Sequence, residues 1–133
     1  MTQAADIRGF HAHVYFDAIT RQTAERIRDG LAYQLGVNVG AMHERPVGPH
    51  AKAMFQVTFT KEQFAAVVPW LMVNRGGLSV FVHPTTDDAV ADHDTNPLWM
   101  GDPLPLDLEL LRRHVAANAA ATKSRYAATR AGT

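Results

Sequence analysis

Apolar residues recur along this chain with two different periods, and the places where the period changes mark its elements. From Phe10 to Asp17, aromatic and β-branched residues alternate with others, as in a strand. A period of two puts His11, His13 and Tyr15 on one face and Ala12, Val14 and Phe16 on the other. From Thr20 to Leu35 the step lengthens to three and four. Ala24, Ile27, Leu31 and Leu35 then form one helical stripe, Arg21, Arg26 and Arg28 lie off it, and Gly36 is a natural stop. A second strand is expected over Val37 to Glu44. Arg45-Pro46-Val47-Gly48-Pro49-His50 can be neither helix nor ladder, because its prolines lack the N–H that both need, and it reads as a stiff loop.

Met54 to Phe59 is the third strand. Thr60-Lys61-Glu62-Gln63 has the form of a capping box and predicts a helix from Thr60, with Phe64, Val67, Val68 and Leu71 as its buried stripe. Pro69 inside that helix should bend its axis, at a cost of roughly 3 kcal/mol unless packing compensates. Asn74-Arg75-Gly76-Gly77 turns the chain into a fourth strand, Leu78 to His83, which Pro84 stops. The order β-α-β-β-α-β predicts an α+β, ferredoxin-like fold, an antiparallel sheet with two helices on one face. Residues 85–105 read as a long loop with one apolar island, Leu98-Trp99-Met100, and Leu106 to about Ala121 as a C-terminal helix. With no repeat or linker in view, the expectation is a single domain over residues 1–133, its core about 7–121 and residues 122–133 a frayed tail.

Composition narrows the chemistry. A chain of 133 residues, 47% apolar and 20% charged, has the balance of an ordinary globular domain. Thirteen basic residues match thirteen acidic ones, so no net field gathers nucleic acid or an anionic membrane, and neither is expected as a partner. No leader-like N-terminus or run of ~18 apolar residues is visible, so the expected location is cytoplasmic. The absence of cysteine removes disulfides, thiolate nucleophiles and sulfur-ligated metals, leaving His, Asp and Glu to hold any ion. Seven histidines are many for this length, and imidazole both binds metals and moves protons near neutral pH.

The predicted topology sets the first strand beside the fourth and antiparallel to it, which brings His11 and His13 toward His83. Side chains two apart on a strand sit about 7 Å from one another, close enough for two imidazoles to converge on one ion. His11, His13 and His83 are therefore the candidate metal ligands, on a face shared with Tyr15 and Gln56 or its neighbour. Such a site with free positions suits non-haem Fe(II), and three imidazoles also suit zinc. Asp92-His93-Asp94 offers further ligands or a partner that orients an imidazole. His50 is a candidate acid/base, although its loop starts at the far end of the sheet and reaches the cluster only by folding back or from a partner subunit. His43 and His114 read more simply as a strand-end and a solvated helix position, Trp70 and Phe64 as core, and Trp99 as lid or anchor. Two rival readings keep the fold: a metal-binding module or metal-assisted hydrolase without oxygen chemistry, and a small-ligand-binding dimer whose histidines are only hydrogen-bonded.

Several strings together resemble the DOPA 4,5-dioxygenase family of aromatic ring-opening dioxygenases. They are Phe10-His11-Ala12-His13-Val14-Tyr15-Phe16, Arg45-Pro46-Val47-Gly48-Pro49-His50, the run from Val68-Pro69-Trp70 to Gly76-Gly77-Leu78, and His83-Pro84 followed by Ala91-Asp92-His93. The resemblance implies a ferredoxin-like homodimer and an extradiol dioxygenase in aromatic compound degradation, opening a catechol such as DOPA with Fe(II) and O2. It carries the family's repeated histidines onto His11, His13, His50, His83 and His93. Of these, His11, His13 and His83 are assigned to the metal. His50, with His93 in reserve, is assigned to proton transfer, because opening a catechol needs both a base and an acid.

Overall fold

The computed structural model describes residues 1–131, with side chains through residue 121. After a single 3-10 turn (Ala4–Asp6) the elements are β1 (Gly9–Phe16), α1 (Arg21–Gln34), β2 (Asn38–Val39), β3 (Ala53–Phe59), α2 (Phe64–Asn74), β4 (Val80–Thr85), α3 (Ala89–Asp94), β5 (Leu98–Met100) and α4 (Leu108–Ala131). The strands form one antiparallel sheet in the order β2-β3-β1-β4-β5. This is the ferredoxin-like α+β arrangement that the sequence predicts, extended by one short strand beyond β4.

The alternation along β1 explains both faces of the sheet. Ala12, Val14 and Phe16 pack with Ala24, Ile27 and Leu31 of α1 and with Val67, Val68 and Leu71 of α2, the stripes read from the helical periods. Fully burying the valine, leucine, isoleucine and phenylalanine side chains among these stabilises by roughly 1.5–3 kcal/mol each. On the opposite face Tyr15, Met54 and Phe81 form a smaller cluster, covered by Trp99, Leu104 and Leu106. Trp99 is thus an anchor of that second layer. Phe64 and Trp70 pack against the main core as expected.

Several elements differ from expectation, for local reasons. β2 is only two residues long. Pairing with β3 resumes at a single bridge, His43↔Met54, after Val39↔Val57, so four steps on one strand oppose three on the other. That extra residue is a bulge, and it ends the regular ladder. The Thr60/Gln63 box does form, Thr60 N donating to Gln63 Oε1 at 2.9 Å and Gln63 N to Thr60 Oγ1 at 3.2 Å. It closes a turn ahead of the helix, which begins at Phe64. Within residues 85–105, Asp88 caps α3 by accepting from Ala91 N, and the apolar island pairs with β4 as β5. α4 continues to Ala131, past the end marked by its apolar stripe; Ala116, Ala117, Ala119, Ala120 and Ala121 favour helix without needing a buried face. The tail expected from residue 122 thus falls on this helix as far as Ala131, and residues 132–133 lie outside the described residues. No described helix is long and apolar enough to cross a membrane.

Candidate metal centre

β1 and β4 run side by side in a register that sets His11 directly opposite His83, with His13 one pleat further along the same face. Their ring centroids are 5.1 Å (His11 to His83), 5.3 Å (His13 to His83) and 6.1 Å (His11 to His13) apart. One ring nitrogen from each lies within 4.8 Å of the others, the arrangement that could hold a metal ion. His13 and His83 are buried and His11 half-buried.

Hydrogen bonds determine which nitrogens are free. His83 Nδ1 donates to the Pro84 carbonyl at 2.8 Å, so its Nε2 carries a lone pair. That Nε2 lies 3.2 Å from His13 Nε2. Nitrogens bound about 2.0–2.1 Å from one ion would be separated by roughly this distance. His13 Nδ1 is buried without a hydrogen-bond partner among the described residues. The donor set, the backbone-fixed tautomer of His83 and the convergence of Nε2 atoms all fit a divalent ion. No carboxylate belongs to this group among the described residues.

Two more histidines flank it. The loop after β2 folds back within the same chain: Asp107 N donates to the Pro49 carbonyl at 2.9 Å, and His50 bridges to Leu106. This seats the His50 ring 4.1 Å from His13, although sequence order places that loop far from the site. α3 brings His93 to 4.1 Å from His83, with His93 Nδ1 donating to the Ala89 carbonyl at 2.7 Å. The four rings thus run in a row across the sheet, His93, His83, His13, His50, with His11 beside them.

Asp92 does not play either part considered for it. Its carboxylate is buried and accepts from Thr86 N at 2.8 Å and Thr86 Oγ1 at 2.6 Å, which fixes the start of α3 rather than an imidazole. Asp94 is exposed. The groups that orient His83 and His93 are backbone carbonyls, which no sequence motif encodes. Tyr15 is the side chain whose contact was not foreseen: its hydroxyl lies 2.7 Å from His50 Nδ1. Strand alternation put it on the right face, but its partner is 35 residues away.

The histidines border a cleft of about 480 Å³, with Gln56 and Met54 from β3 and the exposed His43 at its rim. That volume suits a small aromatic molecule. Burial, reinforced by neighbouring imidazoles, keeps the rings neutral: His13 lies well below the usual value, His50 is lowered to about 4 and His83 to about 3. Neutral imidazole is the form that binds metal.

These shifts make stability pH-dependent in a defined direction. Well above pH ~6.5, His50 and His83 are neutral in folded and unfolded chains alike. Below it the unfolded chain takes up protons that folded His50 and His83 refuse until about pH 4 and 3, so stability falls as pH falls through that window. At pH 5 the loss is about 2 kcal/mol for each of these two imidazoles. Thermal melts of chelator-treated protein at pH 7.5 and 5.0 measure it, and equal melting temperatures would mean that the rings are hydrated.

Comparison with known proteins gives concordant results. The model of the Dopa 4,5-dioxygenase family matches residues 10–110. An uncharacterised 21.2 kDa protein of Botryotinia fuckeliana is 42% identical over 123 residues, covering 80% of this chain and 66% of its own. A DOPA 4,5-dioxygenase of Amanita muscaria is 32% identical over 113 residues, covering 78% of this chain and 50% of its own. The chain therefore spans between half and two thirds of the length of these relatives. A crystal structure from Nostoc punctiforme, of a protein provisionally assigned as a dioxygenase, superposes with a TM-score of 0.83 at 50% identity, covering 85% of this chain and 98% of that one.

Proposed function

This chain belongs to the Dopa 4,5-dioxygenase family, and from that membership and its histidine cluster we propose that it is a non-haem Fe(II) extradiol dioxygenase, opening the ring of a catechol such as DOPA with O2. The observation that carries the proposal is the convergence of His11, His13 and His83 on one point at the floor of an open cleft. His11, His13 and His83 would hold a ferrous ion there, and the ion would supply binding of the catechol oxygens and activation of O2.

The flanking histidines divide the proton work. His93 donates its Nδ1 proton to the Ala89 carbonyl, so Nε2 is the atom that receives the proton of a catechol hydroxyl. His50 faces the same cleft from the other end of the row and supplies a hydrogen bond to a substrate oxygen on which negative charge develops as the ring opens. Phe81 is buried between Trp99 and His13, with ring centroids 4.6 and 5.8 Å away. The reading includes a cytoplasmic location and a homodimer, the latter supported by the exposed apolar side chains of Met72 and Val73 on α2 and Leu98 on the sheet edge; light scattering measures the assembly.

The test is anaerobic reconstitution with Fe(II), then oxygen uptake and visible absorbance with a panel of catechols including DOPA and protocatechuate. Rapid uptake with a yellow ring-opened product is the expected outcome. If iron is retained but no catechol consumes oxygen, the chain is a metal-binding module instead.

A further inference from the structure

The acid/base pair described above leaves one question: His93 has a backbone carbonyl to set its tautomer, so what sets that of His50? Among the described residues a single side-chain partner is found. Tyr15 lies on β1 two residues beyond His13, is 1% exposed and places its hydroxyl 2.7 Å from His50 Nδ1. Its ring is held by stacking on Trp99, with centroids 6.0 Å apart and planes 19° from parallel. The His50 backbone is fixed independently by the bridge to Leu106 and by a bond from His50 N to the Val47 carbonyl. His50 borders the cleft, whereas Tyr15 lies behind it, so any effect of Tyr15 on the reaction passes through His50.

We propose that Tyr15 is a positioning residue that donates its hydroxyl proton to His50 Nδ1 and thereby holds His50 as the Nε2–H tautomer, a hydrogen-bond donor to substrate. The direction of the bond follows from the donor inventory. A phenol has one proton to place, and His50 is the partner found for this buried hydroxyl among the described residues. If His50 Nδ1–H donated instead, the phenolic proton would be left buried without an acceptor, which costs more than an unused oxygen lone pair. With Nδ1 accepting, the ring's one remaining proton sits on Nε2. The two ends of the row are then complementary: His93 has a bare Nε2 and His50 a protonated one. The second half of this inference, the effect on turnover, rests on the dioxygenase reading; the tautomer does not.

The experiment has two arms. In the first, the ring nitrogens of ¹⁵N-histidine-labelled, metal-free wild type and Tyr15→Phe are observed by NMR near pH 7.5. His50 is expected to show an unprotonated Nδ1 and a protonated Nε2 in wild type, and a tautomer mixture in the variant, which keeps the ring and its stacking. A protonated Nδ1 in wild type, or an unchanged tautomer in the variant, overturns the proposal, the latter assigning Tyr15 to packing alone. In the second arm, iron-loaded Tyr15→Phe is expected to bind iron at wild-type stoichiometry and to lose about 10- to 100-fold in kcat with KM little changed. Unchanged kcat, or a loss confined to KM, overturns the role in turnover. If wild type consumes no oxygen with any catechol, the dioxygenase reading fails while the NMR arm still decides the tautomer. Should Tyr15→Phe fail to fold, the wild-type spectrum alone decides the direction of the bond.

Discussion

His83→Ala is expected to abolish stoichiometric retention of Fe(II) and to lower catechol-dependent oxygen uptake by at least about 10³-fold, with His13→Ala close behind. The expectation follows from how few ligands there are. Three imidazoles converge, no carboxylate joins them among the described residues, and removal of one leaves two. Loss even of a group that merely orients a ligand typically costs ~10–100-fold, and loss of the ligand itself exceeds that. His83 is also the ring that lies between His13 and His93 and opposite His11, so its removal breaks the row at its centre. The folded state should survive, because main-chain pairing of β1 with β4 does not depend on the imidazole. Calorimetric iron titration and an oxygen electrode read the two effects, and His114→Ala, exposed on α4, serves as the unaffected control. A His83→Ala protein that still held one equivalent of iron and turned over catechol would remove His83 from the ligand set.

The second large effect separates chemistry from metal binding. His50→Ala is expected to keep its iron yet lose about 10²–10³-fold in kcat, the usual consequence of deleting one preorganised donor to a developing oxyanion. His50→Gln, whose amide restores a donor at similar reach, is expected to recover most of that loss. A group acting as a base would not be replaced by an amide, so the pair of variants tests the donor role assigned to His50 as well as its importance. Equal loss in both variants would return the base function to His50; loss of iron in either would make it a ligand. Single-turnover kinetics on anaerobically loaded protein distinguish these results, since binding and chemistry are then measured apart.

Most of the helical layer was legible because its signals are local. The stripes at Ala24, Ile27 and Leu31 and at Val67, Val68 and Leu71 are the residues that α1 and α2 bury, and alternation along β1 assigned every side chain to its face. The approach of His11 and His13 to His83 was also legible. It follows from strand order alone, and strand order follows from the β-α-β-β-α-β succession. The short elements were not. β5 has three residues, too few to display a period, and becomes a strand because the edge of β4 is there to pair with. The second strand is shorter than the apolar pattern suggests, and Gly40 is the residue in it that signals the interruption.

The amino-acid sequence by itself determined the fold class, the face that carries the histidines and the three of them that meet on it, since each depends on a repeat of two or of three to four residues and on the order in which those repeats occur. Tertiary structure alone decided the surroundings of that triad. His50 reaches His13 because the Pro49 carbonyl and the His50 backbone pair with residues 106 and 107, a closure of more than fifty residues that leaves no periodic trace. The tautomers of His83 and His93 depend on the carbonyls of Pro84 and Ala89, and that of His50 on the hydroxyl of Tyr15. A backbone carbonyl is present at every residue, so which one accepts a given proton is a matter of position in space and not of residue type.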